Sequence, residues 1–130
     1  MEKTQEKMIP QFGYELIRDH LIANLLGKHE QEVLYWAGKD LARKFRCQSV
    51  DEICAFFQQA GWGELRLHKQ AKRESIFHLQ DTIRSSSRSD RCFKLEAGFL
   101  AEQLEQLESR MTECLEDVSS KLVVFTTKSE

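Results

Sequence analysis

The apolar residues of this 130-residue chain change their spacing three times, and those changes restrict the fold more than any single motif. Up to Gly61 they recur every three or four residues, the period of a helix. From Glu64 they alternate, with Leu65 and Leu67 set between Glu64, Arg66 and His68. Near Phe93 the helical interval returns, and after Thr112 the pattern is strand-like again. The order is three N-terminal helices, a β-hairpin, a long helix and a second β-hairpin. It predicts an α+β fold in which helices cover an antiparallel four-stranded sheet. A second core does not fit in this length, so residues 12–130 read as one domain. The polar residues 1–11, which hold the only proline, Pro10, read as a mobile tail.

The first helix is expected over residues 14–26, with Tyr14, Ile17, Leu21 and Leu25 on one stripe. Leu16, Ile22, Ala23 and Leu26 fall elsewhere on the wheel. Such a helix is buried on two sides, by its own core and by a partner. The second helix, residues 30–46, carries the stripe Leu34, Ala37, Leu41 and Phe45. Trp36 lies opposite it and Val33 at its edge, so Trp36 is either capped by another element or sits in an interface. Ser49 and Glu52 form a capping box for the third helix, whose Ile53, Phe56, Phe57 and Ala60 face inward. Gly61-Trp62-Gly63 turns the chain into the first strand. The second strand is short, residues 76–79, and residues 70–74 join the two.

Residues 84–91 read as a solvated loop, with Ser89 or Asp90 placed to cap the long helix. That helix has its stripe at Phe93, Ala97, Leu100, Leu104, Leu107 and Met111. Its acidic set Glu102, Glu105 and Glu108, with Gln103 and Gln106, reads as the solvated face. Gly98 costs about 1 kcal/mol relative to alanine. That cost is acceptable where another backbone comes close or a ligand needs room. The closing strands are expected at residues 112–118 and 121–127, with Ser119-Ser120 at the turn. The apolar run from Leu122 to Phe125 marks the last strand as central or covered on both faces.

The chemistry is bounded by exclusion. A net charge of −2 argues against a nucleic-acid surface. No apolar run is long enough to span a membrane, and MEKTQEKMIP lacks the apolar segment of a signal peptide. The four cysteines match no zinc module and read as reduced thiols in a cytoplasmic protein. Nucleophile-elbow, zinc-protease and phosphate-loop motifs are absent from the sequence. His68 and His78 sit on the two strands of one hairpin, but two histidines need a third ligand for zinc. Lys69, Lys72 and Arg73, with Arg66, make only a small basic patch at the hairpin tip. The reading is a non-enzymatic chain with no metal and no cofactor.

Four segments carry a family resemblance. They are Gly38 in Tyr35-Trp36-Ala37-Gly38, the run Ala60-Gly61-Trp62-Gly63-Glu64-Leu65, the helix Cys92-Phe93-Lys94-Leu95-Glu96-Ala97-Gly98-Phe99-Leu100-Ala101, and the hairpin after Thr112-Glu113-Cys114. In this order the chain resembles the YslB-like family of Bacillus-type proteins. More distantly it is similar to the superfamily of TRAPP transport-complex subunits, 4-vinyl-reductase-type domains and haem nitric-oxide-binding domains. The resemblance implies helices and a sheet that enclose an apolar cavity for acyl chains, small aromatic ligands or haem. No histidine here matches the haem ligand. Cys47 resembles the position where TRAPP subunits carry a linked fatty acid. Cys92 and Cys114 match two cysteines of a three-cysteine pattern, whose third position falls near Leu122.

Two functions follow. In the first, Phe56, Phe57, Trp62, Phe77, Phe93, Ala97, Gly98, Leu100 and Phe125 line a pocket for an apolar small molecule or acyl chain. In the second, the core is filled and the protein is an interaction module. It forms a homodimer or heterodimer through Leu16, Ala23, Val33 and Trp36.

Overall fold

The computed structural model describes residues 10–80, 91–119 and 122–130. The expected N-terminal tail, the Ser89 or Asp90 cap and most of the 84–91 loop lie outside the described residues, as does Ser120 of the closing turn. The chain opens with a long helical run over residues 11–44, made of α1 (Gln11–Glu15), a π-helical turn (Leu16–Leu21), α2 (Ile22–Leu26), a 3-10 turn (Gly27–His29) and α3 (Glu30–Lys44). Gly27, at φ +53°, interrupts it. Next come α4 (Val50–Gln59), β1 (Glu64–Gln70), β2 (Glu74–Gln80), α5 (Lys94–Glu108), β3 (Thr112–Val118) and β4 (Val123–Ser129).

The four strands form one antiparallel sheet in the order β1-β2-β4-β3. This bears out the α+β reading, and it makes β4 an inner strand, as its apolar run suggested. Leu65, Phe77, Leu79, Cys114, Val123 and Phe125 face the helices and are buried. The other face is open, so Leu122 and Val124 are only half-buried. A bulge after Leu67 shifts the register of β1 against β2. Leu67, the last residue before it, is 37% exposed on this edge strand, whereas Leu65 is buried. At the opposite edge, two β3 amides are capped by side chains. The Thr112 N–H donates to a Glu105 carboxylate oxygen at 3.2 Å, and the Cys114 N–H to the Tyr35 hydroxyl at 3.2 Å.

Local capping explains where α4 starts and stops. The Glu52 N–H donates to Ser49 Oγ at 3.2 Å. The Glu52 carboxylate accepts from the Gln48 N–H at 2.7 Å, one residue earlier than a standard capping box has it. Gly61, at φ +77°, takes the left-handed conformation that ends the helix.

Helix α5 lies between the sheet and α3, and this changes how its residues sort. All of residues 96–104 are buried, including Glu96, Glu102 and Gln103. The expected solvated face holds only toward the C-terminal end, where Glu105 and Gln106 are half-buried and Glu108 is exposed. Met111, expected on the core stripe, is past the helix end and 65% exposed. On α3 the buried face is Leu34, Gly38 and Ala42, not Leu34, Ala37, Leu41 and Phe45. Phe45 follows the last helical residue and is exposed.

The reason is a close crossing. A Cβ on Gly98 would overlap the Tyr35 carbonyl oxygen and lie 2.9 Å from its carbon. A Cβ on Gly38 would overlap the Leu95 carbonyl oxygen and lie 2.7 Å from the Phe99 nitrogen. The two backbones touch, and neither can give way as a side chain would. Gly98→Ala should therefore lower unfolding free energy by about 2 kcal/mol or more in urea denaturation. Gly13→Ala, with nothing within 4 Å of the new Cβ, should be neutral or stabilising by up to about 1 kcal/mol. Equal effects at the two sites would contradict the crossing.

Candidate functional site

The expected pocket residues come from four elements and the α4–β1 corner. Phe57, Trp62, Phe77, Phe93, Ala97, Leu100 and Phe125 are buried in one core cluster, and Phe56 packs against it. Gly98 is elsewhere on α5, in the crossing with α3. Phe99, absent from the expected set, is the centre of the aromatic group. Its ring lies 4.5 Å from that of Phe56, stacked, 5.3 Å from Trp62 and 5.9 Å from Phe57, both edge-on. Among the described residues, open surface grooves lie beside Trp36, beside Lys94 and Leu115, and between α4 and β1, and none of these is lined by any of the nine expected residues.

The second feature was not visible in the sequence. The first helical run turns two charged residues inward: Arg18 is 3% exposed and Asp19 1%. Asp19 takes both ends of Arg91, at 2.6 and 2.7 Å. Arg18 donates to Glu96 Oε1 at 2.7 Å, to the Cys92 carbonyl at 2.9 Å and to the Tyr14 hydroxyl at 2.6 Å. Burial works against the Arg18 charge, but Glu96 and Tyr14 beside it together outweigh that and raise its pKa. Burial likewise opposes the Arg91 charge, and Asp19 holds it. Burial also pushes the Tyr14 phenol up.

The same run is apolar on the outside. Phe12, Leu16, Ile17, Leu21 and Leu25 are exposed, Leu25 by 74%. Thus Ile17, Leu21 and Leu25 do not reach the core of their own chain, contrary to a stripe buried there. A π-helical turn carries an extra residue relative to an α-helical one. One inserted residue rotates the following faces by about 100°, which a wheel drawn at 3.6 residues cannot anticipate. Of the expected interface, Leu16, Val33 and Trp36 are exposed and Ala23 is half-buried.

Cys47 is buried where α3 passes to α4. Its N–H donates to Gln103 Oε1 at 3.0 Å, while Gln103 Nε2 donates to the Phe45 carbonyl at 2.7 Å. Burial pushes its thiol up, and Glu52 adds to this. Burial also raises the thiols of Cys54, Cys92 and Cys114. His68 and His78 do meet: their rings stack at 4.1 Å on the open side of the hairpin. Among the described residues no three His, Cys, Asp or Glu side chains converge as metal ligands. No described helix is long and apolar enough to cross a membrane.

An open four-stranded sheet backed by a helix between its hairpins is a known architecture. A vinyl-4-reductase family protein from Methanocaldococcus jannaschii shares the fold with a TM-score of 0.70, over 95% of this chain and 83% of that one, at 18% identity. The phenol-responsive sensory domain of the transcription activator PoxR, solved with phenol, shares it with a TM-score of 0.62, over 94% of this chain and 76% of that one, at 10% identity. At these identities the likeness concerns the fold.

Family membership comes from sequence. A family model described as "Protein of unknown function (DUF2507)" matches residues 11–128, and the chain belongs to that family. It is 38% identical over 133 residues to "Uncharacterized protein YslB" of Bacillus subtilis (strain 168), covering 98% of this chain and 90% of that protein. The resemblance to a YslB-like family is borne out.

The buried charges make a direct prediction. Arg18→Met leaves Glu96 as an unpaired buried carboxylate and should cost about 3–5 kcal/mol in chemical denaturation. Arg18→Met with Glu96→Met should recover most of that loss. A single substitution costing under about 1 kcal/mol would contradict the buried pairing.

Proposed function

We propose that this chain is a small-molecule-binding domain whose guest is an apolar molecule or acyl chain held between α5, α4 and the sheet. The observation that carries this reading is the fold likeness, over nearly the whole chain, to a sensory domain solved with phenol. The gathering of Phe56, Phe57, Trp62, Phe77, Phe93, Ala97, Leu100 and Phe125 in one apolar centre supports it. Gly98 serves on this reading by letting α3 close over the same helix. Binding, rather than catalysis, accords with thiols held protonated by burial. An acyl chain linked to Cys47 is the weaker form of the idea, because a thiol pushed up by burial and Glu52 is a poor nucleophile. Four free cysteines accord with a cytoplasmic setting.

A second reading, compatible with the first, is self-association. Five large apolar side chains on the outside of residues 11–26 continue into Val33 and Trp36. Such a stripe is costly to leave in water. A two-fold contact along it would bury both copies, and a stable one covers more than about 1,000 Å².

Native mass spectrometry of protein purified without detergent tests both readings. The expected result is a dimer carrying extra mass that organic solvent releases. A bare dimer would remove the ligand and leave the interaction module, and a bare monomer would remove both. Leu21→Glu with Leu25→Glu should convert the dimer to a folded monomer.

A further inference from the structure

Glu96 is fully buried, and only one of its two carboxylate oxygens is used. Oε1 accepts from Arg18 at 2.7 Å, whereas among the described residues no group donates a hydrogen bond to Oε2. A buried, unpaired carboxylate oxygen is expensive and calls for a donor. The position of Glu96 says where that donor comes from. Phe99 and Leu100 are its neighbours one helical turn away on α5, Phe93 at the N-cap lies one turn before it, and Ala97 follows it directly. The free oxygen therefore belongs to the same helix surface as the apolar centre.

The charges around it fix the kind of donor. Among the described residues Arg18 pairs with Glu96 at 2.7 Å, so the charge of the carboxylate is already answered. A cationic guest would add an uncompensated buried charge. A neutral donor adds none. We infer that Glu96 Oε2 is the polar anchor of the binding site, and that the guest is a small apolar molecule bearing a hydroxyl or other neutral hydrogen-bond donor. This rests on the proposed small-molecule function and specifies its ligand class. An apolar site with one placed acceptor is how such pockets orient a guest. A hydrogen bond to a charged acceptor discriminates strongly against a guest that lacks the donor.

Phenol and anisole separate the two roles, since anisole keeps the ring and the oxygen but has no proton to give. Both are titrated into 15N-labelled protein and followed by NMR. Wild type should bind phenol about tenfold or more tightly than anisole. In Glu96→Gln an amide N–H₂ replaces the free acceptor, and the ratio should fall to within about threefold. Glu96→Gln leaves Arg18 without its ion pair, so Arg18→Met with Glu96→Met serves as a second variant. That protein should keep a dispersed spectrum and bind anisole at least as well as phenol. Equal binding of the two probes by wild type, or a tenfold preference surviving in both variants, would overturn the anchor while leaving the binding function standing. Failure of wild type to bind either probe would instead count against the small-molecule reading and remove the anchor with it.

Discussion

The contact between α3 and α5 at Gly38 and Gly98 sets the rest of the molecule. Each glycine admits the other helix's backbone where a single methyl would collide with a carbonyl oxygen. With the helices this close, α5 is covered by α3 on one side and by the sheet on the other. Its residues 96–104 are therefore all buried, polar ones included. The burial of Gln103, which ties down the α3–α4 connection, follows from that position. So does the placing of Tyr35, whose hydroxyl caps an amide of the edge strand β3. Glycine in a helix is unfavourable by about 1 kcal/mol. The dispersion and burial gained along a close crossing offset this.

The first helical run follows a different logic. It meets the body through charge, with Arg18 and Asp19 turned inward, and it meets solvent through Phe12, Ile17, Leu21 and Leu25. Desolvating four charges is costly, and their mutual attraction compensates only when geometry is good. Here the Asp19–Arg91 pair is two-pronged and Arg18 has three acceptors. A helix anchored by charge keeps its apolar side for another surface.

Much of the scaffold was legible in the sequence. The change of period at Glu64 and its return near Phe93 gave the element order. The Ser49 cap and Gly61 marked the ends of α4, and the alternation of strand residues gave the buried sheet face. What was not legible has identifiable causes. Periodicity separates an inside from an outside, and α5 has almost no outside. Glu102 and Gln103 therefore looked solvated, and Phe99 was passed over for lying off the stripe. The run Ala97-Gly98-Phe99-Leu100-Ala101, without a charge, was the available signal. Arg18 and Asp19 drew no reading from the sequence, because charged residues are ordinarily solvated. The π-helical turn and partners more than seventy positions away, Arg91 and Glu96, reverse that.

The central claim is that the α3–α5 crossing is the rigid heart of the protein, with the 11–26 run docked on it as a separable layer. Native-state hydrogen exchange measures this directly. Amides of residues 96–104 should exchange only through global unfolding. Those of residues 11–26 should open at distinctly lower free energy. If α5 amides exchanged as readily as those of the first run, or if both opened together at the global value, that division of the structure would be wrong.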